Sequence, residues 1–299
     1  MTFRRKSVLP TLIVLITGVL WGVYWIPVRA LADAGLAGAW GTFAITVAAS
    51  VLLVPIAARD GFVPIRTNLG ATVAMMIGGV AFVLYSVGFN FGRVAMVTVL
   101  FYLTPVWSVL ISRYLLGWQT PILRLLAIAV GVVGLAIMLA GDGSVPLPQG
   151  VGEWMALASG LCWSIATTMM RTNDPLPPVT ATATFAIGAA LAAGVSAPLL
   201  SPLPQVAEFG SIFNALAMVF GTAVMWWCLS LAIFLWAAPQ LDPARVGILL
   251  MAEVIVGAAT AAVLAGEPLG VFEIVGGLLV LAAGVLEVWP FKAKPAQVA

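Results

Sequence analysis

Residues 249–260 read LLMAEVIVGAAT, and the acid among them is the first group in this chain that could do chemistry. A charged carboxylate at the centre of a bilayer costs about 2.5–3.5 kcal/mol on insertion scales, so such acids face a bundle interior, find a partner or hold a proton. Glu253 stands near the middle of its apolar run, and no other acid or base falls mid-run anywhere in the sequence. No counter-ion is therefore evident. Two roles suit it: carrying a proton, or meeting the ammonium group of a ligand. A protonated or water-bonded glutamate capping a kink is the structural alternative.

A second set of residues surrounds this question. Pro105 interrupts another apolar run at mid-length, where it withholds a hydrogen bond from the Phe101 carbonyl and bends the helix; it is a candidate hinge. Gly257, amid Ala258, Ala259, Ala261 and Ala262, permits close helix packing and is the second candidate hinge. The chain has 11 tryptophans. Trp40, Trp118, Trp154 and Trp289 fall near the ends of apolar runs, as interfacial anchors do. Trp21, Tyr85, Trp163 and Trp227 fall deeper, and Tyr102 lies beside Pro105. These five aromatics, with Glu253, are the candidate substrate contacts. Aromatic walls stack on flat ligands at about 0.5–1.5 kcal/mol per well-placed pair, and Trp faces attract ammonium groups. Packing or lipid contact is the competing role for each ring.

The elements that must hold these residues follow from composition. The 299 residues are 63% hydrophobic and 8% charged, whereas a globular domain has about 25% charged residues; the chain is an integral membrane protein. There is no histidine, which excludes histidine triads, most zinc sites and haem ligation, and no metal or cofactor is expected. The two cysteines lie far apart within apolar runs and read as small buried hydrophobes. A spanning helix needs about 20 apolar residues. Ten such runs cover 8–30, 38–58, 69–90, 94–115, 121–141, 150–171, 179–200, 211–236, 244–264 and 270–289, punctuated by turn sequences such as Arg59-Asp60-Gly61 and Gly266-Glu267-Pro268. Their length favours helices over a barrel. Arg4, Arg5 and Lys6 before the first run resemble the start of a signal peptide, but the apolar stretch is longer than the 7–15 residues of such a segment.

The runs repeat. At an offset of 142, Gly18 falls on Gly160, Trp21 on Trp163, Arg29 on Arg171, Thr42-Phe43 on Thr184-Phe185, Gly79 on Gly221 and Tyr85 on Trp227; at 148, Pro105 falls on Glu253 and Gln119-Thr120 on Glu267-Pro268. Five helices per half is an odd number, so the second half enters the membrane from the opposite side. The expected fold is all-α: ten transmembrane helices as two inverted-topology five-helix repeats, 1–145 and 146–299, forming one membrane domain. Matched residues would then lie across a pseudo-two-fold axis, with Trp21/Trp163 and Tyr85/Trp227 lining one midplane cavity. With the N-terminus in the cytoplasm, only Arg29 and Arg93 of the 13 lysines and arginines fall outside. That positive-inside pattern places both termini in the cytoplasm. Arg29 and Arg171 read as interfacial anchors, with an Arg29–Asp33 ion pair as the alternative for a gate.

The stretches GVLWGVYWIPVRAL (18–31), FYLTPVWSVLISRYLLGWQT (101–120) and AEVIVGAATAAVLAGEP (252–268) resemble the first-, fourth- and ninth-helix motifs of the drug/metabolite transporter superfamily in its EamA-like branch. Within it, the chain looks most like YddG-type aromatic amino-acid exporters. It departs from the pattern at Gln119, where the first half would carry the terminal glutamate that Glu267 supplies in the second. The resemblance implies a carrier in the inner cell membrane that exports small metabolites from the cytoplasm by alternating access, with aromatic or other amphipathic amino acids as the expected cargo. Nucleotide sugars, purines or lipophilic cations are the alternative cargoes, and a non-transporting membrane sensor is the alternative of another class. An intramembrane enzyme lacks the Ser-His pair, Asp pair or metal set it would need, and no filter-like run suggests a channel. The expected partners are a small-molecule substrate and lipid, with no nucleic acid; the sequence leaves the oligomeric state open, a monomer included.

Overall fold

The computed structural model describes residues 8–61, 63–115, 117, 122–140, 147–204, 212–241 and 243–288. In hydrocarbon each backbone N–H and C=O must find its partner within the protein, and a helix does so locally. The described residues are accordingly helical throughout, with no strand among them. Ten rods follow one another: α1 Val8–Asp33, α2 Trp40–Ala57, α3 Leu69–Phe91, α4 Val94–Tyr114, α5 Ile122–Leu139, α6 Val151–Thr172, α7 Pro178–Leu200, α8 Ile212–Ala237, α9 (Pro243–Leu250 and Ala252–Leu264) and α10 Val271–Val288. Six of them (α1 to α4, α7 and α8) are long and apolar enough to cross a membrane on length and composition alone. Their bounds fall within three residues of the apolar runs read from the sequence.

Three rods are broken. α1 interrupts at Val23–Tyr24, four residues before Pro27, and α4 at Tyr102–Leu103, three residues before Pro105. A proline has no amide hydrogen to give the carbonyl one turn back, so the Val23 and Phe101 carbonyls lose their helical donors. α9 breaks at Met251 without any proline: the Val254 amide donates to Met251 at 3.1 Å rather than to Leu250. Carried forward by 148, the offset that pairs Pro105 with Glu253, the α4 interruption at 102–103 reaches 250–251 and so takes in the α9 break at Met251. α8 carries a π-helical segment, Ala223–Ser230, at its middle.

The principal packing joins the first five rods to the last five. α3 lies along α6 and α7, α2 along α7, α5 along α10, and α1 along α9. Small residues set these approaches. A Cβ on Gly79 would lie 2.2 Å from the Phe185 carbonyl oxygen, and one on Gly188 would lie 2.6 Å from the Met76 backbone, so α3 and α7 touch main chain to main chain. Two contacts at the breaks correspond. A Cβ on Gly160 of α6 would lie 2.9 Å from the Phe101 oxygen of α4, and one on Gly18 of α1 would lie 3.1 Å from the Leu249 oxygen of α9. Matched glycines thus press on matched carbonyls beside the two breaks.

Gly79 and Gly221 align in sequence but differ in surroundings, since nothing lies within 4 Å of a Cβ at Gly221. Gly79→Ala is expected to destabilise the bundle by about 1–3 kcal/mol, as overpacking does, while Gly221→Ala leaves it unchanged. Thermal unfolding of the two purified variants checks this; equal unfolding temperatures would show that the α3–α7 contact is not the constraint described.

Candidate functional site

The break in α9 delivers Glu253 into the bundle. Glu253 occupies the first turn of the second half of α9 and is 2% exposed. Its Oε1 accepts a hydrogen bond from the Tyr85 hydroxyl of α3 at 2.8 Å, and its Oε2 lies 2.8 Å from the Tyr102 hydroxyl in the α4 break. The Tyr102 hydroxyl also donates to the Leu250 carbonyl at 2.7 Å, the group left without a helical donor by the α9 break. The Thr98 hydroxyl donates to Val94 at 2.8 Å and sits 3.3 Å from the Tyr85 hydroxyl. Three chain segments of distant sequence therefore converge on one carboxyl group, and no salt bridge among the described residues reaches it.

Beside this polar knot lies an aromatic cluster centred on Phe82 of α3. Its ring meets Trp227 at 4.9 Å between centroids, Tyr24 at 5.3 Å and Trp21 at 5.8 Å, all three edge-on with interplanar angles of 72°, 61° and 78°. Phe185 joins Phe82 to Trp163, and Phe101 joins Tyr85 to Trp163. The polar tips of these rings are met by hydroxyls: the Trp21 indole donates to Ser230 at 2.7 Å, and the Trp227 indole donates to Tyr24 at 3.1 Å. All six residues singled out as candidate contacts thus belong to one connected group. Trp21, Tyr85, Trp227 and Glu253 are buried, whereas Tyr102 and Trp163 are half-buried. In this conformation the buried rings pack against each other rather than facing across a void. Phe82, Phe101, Phe185 and Tyr24 complete the cluster and were not singled out from the sequence. The available signals were small: Phe185 follows the repeated Thr184, Phe82 and Tyr24 each lie three residues from a chosen aromatic, and Phe101 adjoins Tyr102.

The candidate hinges occupy different settings. Pro105 follows the α4 break, in the first turn of the helix Thr104–Tyr114. Gly257 lies six residues beyond the α9 break, against the backbone of Gly22 in α1. Among the aromatics read as anchors, Trp154 is half exposed and Trp40 donates to the Ser201 carbonyl at 3.2 Å. Trp118 and Trp289 lie outside the described residues, as does Gln119.

At one end of the bundle two ion pairs close the chain. The alternative pairing of Arg29 with Asp33 is replaced: Arg29 Nη1 meets Glu267 Oε1 at 2.8 Å, because the C-terminal end of α3 lies beside it and fixes the guanidinium. Arg29 Nε donates to the Phe89 carbonyl and Nη2 to the Gly92 carbonyl, both at 2.9 Å. Glu267 Oε2 accepts the Val94 amide at 2.8 Å. A cation thus covers the carbonyl end of α3 and an anion the amide end of α4, each sign matched to the helix dipole. Gly266, at φ +64°, ends α9 and turns Glu267 toward α4. Arg93 pairs with Glu273 and donates to the Pro268 carbonyl at 2.8 Å. Below this closure every residue from Val94 to Leu100 is buried; beyond the break, Val106, Trp107 and Ser108 are only half-buried.

Secondary transporters place broken helices at their binding sites, and this bundle brings two broken helices to a buried acid. Residues 9–140 match the family model described as the EamA-like transporter family. No curated protein matches the sequence. A solved structure titled only "Crystal structure of protein" is 16% identical, covering 93% of this chain and 95% of its own at a TM-score of 0.56; that similarity extends the fold across the second half.

Glu267→Ala should free the Val94 amide and loosen the ion-paired end. Hydrogen–deuterium exchange across residues 94–100 should rise by about tenfold, for a local loss of about 1.4 kcal/mol. Unchanged exchange there would remove the closing role of this pair.

Proposed function

We propose that the protein is a secondary transporter that exports small metabolites from the cytoplasm, with aromatic or other amphipathic amino acids as cargo, by alternating access at a midplane site. The observation that carries this reading is the meeting of two broken helices, α4 and α9, at Glu253. Interrupted spans are costly in a bilayer unless their freed backbone groups serve a buried or aqueous site, and carriers place their substrate there.

The two halves, 1–145 and 146–299, are inverted repeats in this scheme. Supporting that are the glycine–carbonyl contacts Gly160–Phe101 and Gly18–Leu249, together with the breaks at matched positions. Both termini are cytoplasmic by the excess of lysine and arginine on that side. The ion-paired end carrying Arg29 and Arg93 is then the outer mouth, and this conformation is closed outward. Trp163, Tyr102 and Phe101, all half-buried, form the approach from the cytoplasmic side, under the packed lid of Trp21, Phe82 and Trp227. The indole N–H of Trp107 is buried with no hydrogen-bond partner and supplies a donor for a cargo carboxylate. Aromatic rings recognise a flat side chain by stacking and an ammonium by their faces.

Proteoliposomes loaded with a panel of amino acids, nucleosides and lipophilic cations test the cargo: aromatic amino acids are expected to leave fastest, and efflux of none of the panel would overturn the transport reading. Trp163→Ala should reduce efflux at least tenfold at equal protein, and Trp154→Ala less than twofold, since Trp154 is 53% exposed. Equal losses would move the cargo path away from Trp163.

A further inference from the structure

The contacts around Glu253 contain one hydrogen bond more than the two tyrosines can supply. Three short oxygen–oxygen contacts meet there, Tyr85 to Oε1 at 2.8 Å, Tyr102 to Oε2 at 2.8 Å, and Tyr102 to the Leu250 carbonyl at 2.7 Å, and unless Tyr102 shares its hydrogen between two acceptors each needs one of its own. A phenol has one hydrogen and a carbonyl has none to give. The Leu250 contact therefore takes the Tyr102 hydrogen, and the Oε1 contact takes that of Tyr85. In the arrangement where no hydrogen is shared, the one between Oε2 and the Tyr102 oxygen comes from the carboxyl group. Thr98 does not provide it, since its own hydroxyl hydrogen is on the Val94 carbonyl at 2.8 Å.

Charge leads to the same count. Among the described residues, the elements around the α9 break present no cation to Glu253: α3 contributes Tyr85, α4 contributes Tyr102 and Thr98, and α1 meets α9 with Gly18 and Gly22. On α10, Gly284 faces Met251, while Glu273 at the far end is held by Arg93. Arg29 is committed to Glu267. With both carboxyl oxygens contacted and the residue 2% exposed, an ammonium group has no place beside it in this conformation, and a proton does.

We propose that Glu253, Tyr85 and Tyr102 form a site for a single exchangeable proton that senses the α9 break. Loss of the proton leaves Oε2 as an acceptor, so the Tyr102 hydrogen turns from the Leu250 carbonyl to the carboxylate. The freed carbonyl at the break then becomes available to a cargo ammonium or to a rearranged helix. This deepens the transport reading by naming the ion that its central acid binds, and rests on that reading only for what the exchange accomplishes.

The test requires neither cargo nor flux, so it separates from failure of the transport reading. Infrared difference spectra of the purified protein are recorded across a pH step, with proton release followed in weak buffer. The wild type is expected to show a protonated carboxyl band that disappears at high pH, with one proton released per chain. Glu253→Gln, whose amide reproduces the donor and acceptor of the protonated acid, should fold and lack both signals. Tyr102→Phe should keep the band at a displaced frequency. A band and release unchanged by Glu253→Gln would overturn the proposal, as would a wild type with neither. If Glu253→Gln fails to fold, Tyr102→Phe decides: a band that does not move there belongs to another residue, and the proposal falls.

Discussion

Every feature of this bundle is subject to the rule that a backbone carbonyl in hydrocarbon needs a partner from within the protein. Continuous helices such as α3 and α7 satisfy it locally and are free to approach one another through glycine. α4 and α9 do not, because each is interrupted at its centre. Their uncovered carbonyls are met in two ways. Glycines of α1 and α6 allow a neighbouring helix to close over Leu249 and Phe101, and the Tyr102 hydroxyl reaches from one break to the Leu250 carbonyl at the other. The residues that make the central site are thus the same ones that keep the interruptions tolerable, which ties the polar chemistry at Glu253 to the integrity of the helices themselves.

The ion-paired end applies the same rule at helix termini. Arg29 serves the last carbonyls of α3, Glu267 serves the first amide of α4, and their mutual attraction adds to both. One charge pair thereby holds the ends of α1, α3, α4 and α9 together. Ion pairs at an exposed surface contribute little; these side chains are only 26% and 14% exposed and are fixed by backbone groups on both sides, which gives the pair its geometric value.

Much of this was legible in the sequence because the bilayer narrows the choices. Apolar run length located all ten rods, and the mid-run position of Glu253 marked it as central. The repeat at offset 142 brought Trp21 and Trp163 into one group. What pattern could not supply was the partner of each polar atom. Tyr85 and Tyr102 were chosen as aromatic surfaces, yet it is their hydroxyls that meet the acid. Arg29 had Asp33 as its near neighbour in sequence, and pairs instead across 238 residues of chain with Glu267, since contacts of that separation are decided by packing of α1 on α3. The α9 break carries no proline and so had no local signal, and Phe82 had no repeat mate to draw attention to it.

Half of the six residues by which the sequence offset grows, from 142 to 148, is seen in the length of α8. α8 has 26 residues where α3 has 23, and its π-helical turn holds Trp226 and Trp227 side by side against α1, donating to Leu20 and Tyr24. A π turn advances more residues per revolution than an α turn, so the insertion rotates everything that follows it on the rod. The seam between α1 and α8 thus carries an indole pair that the seam between α6 and α3 lacks. Mutational drift in cargo preference has a place to act there, since lengthening or deleting the bulge by one residue would re-aim both indoles while leaving the glycine seams of the opposite side untouched.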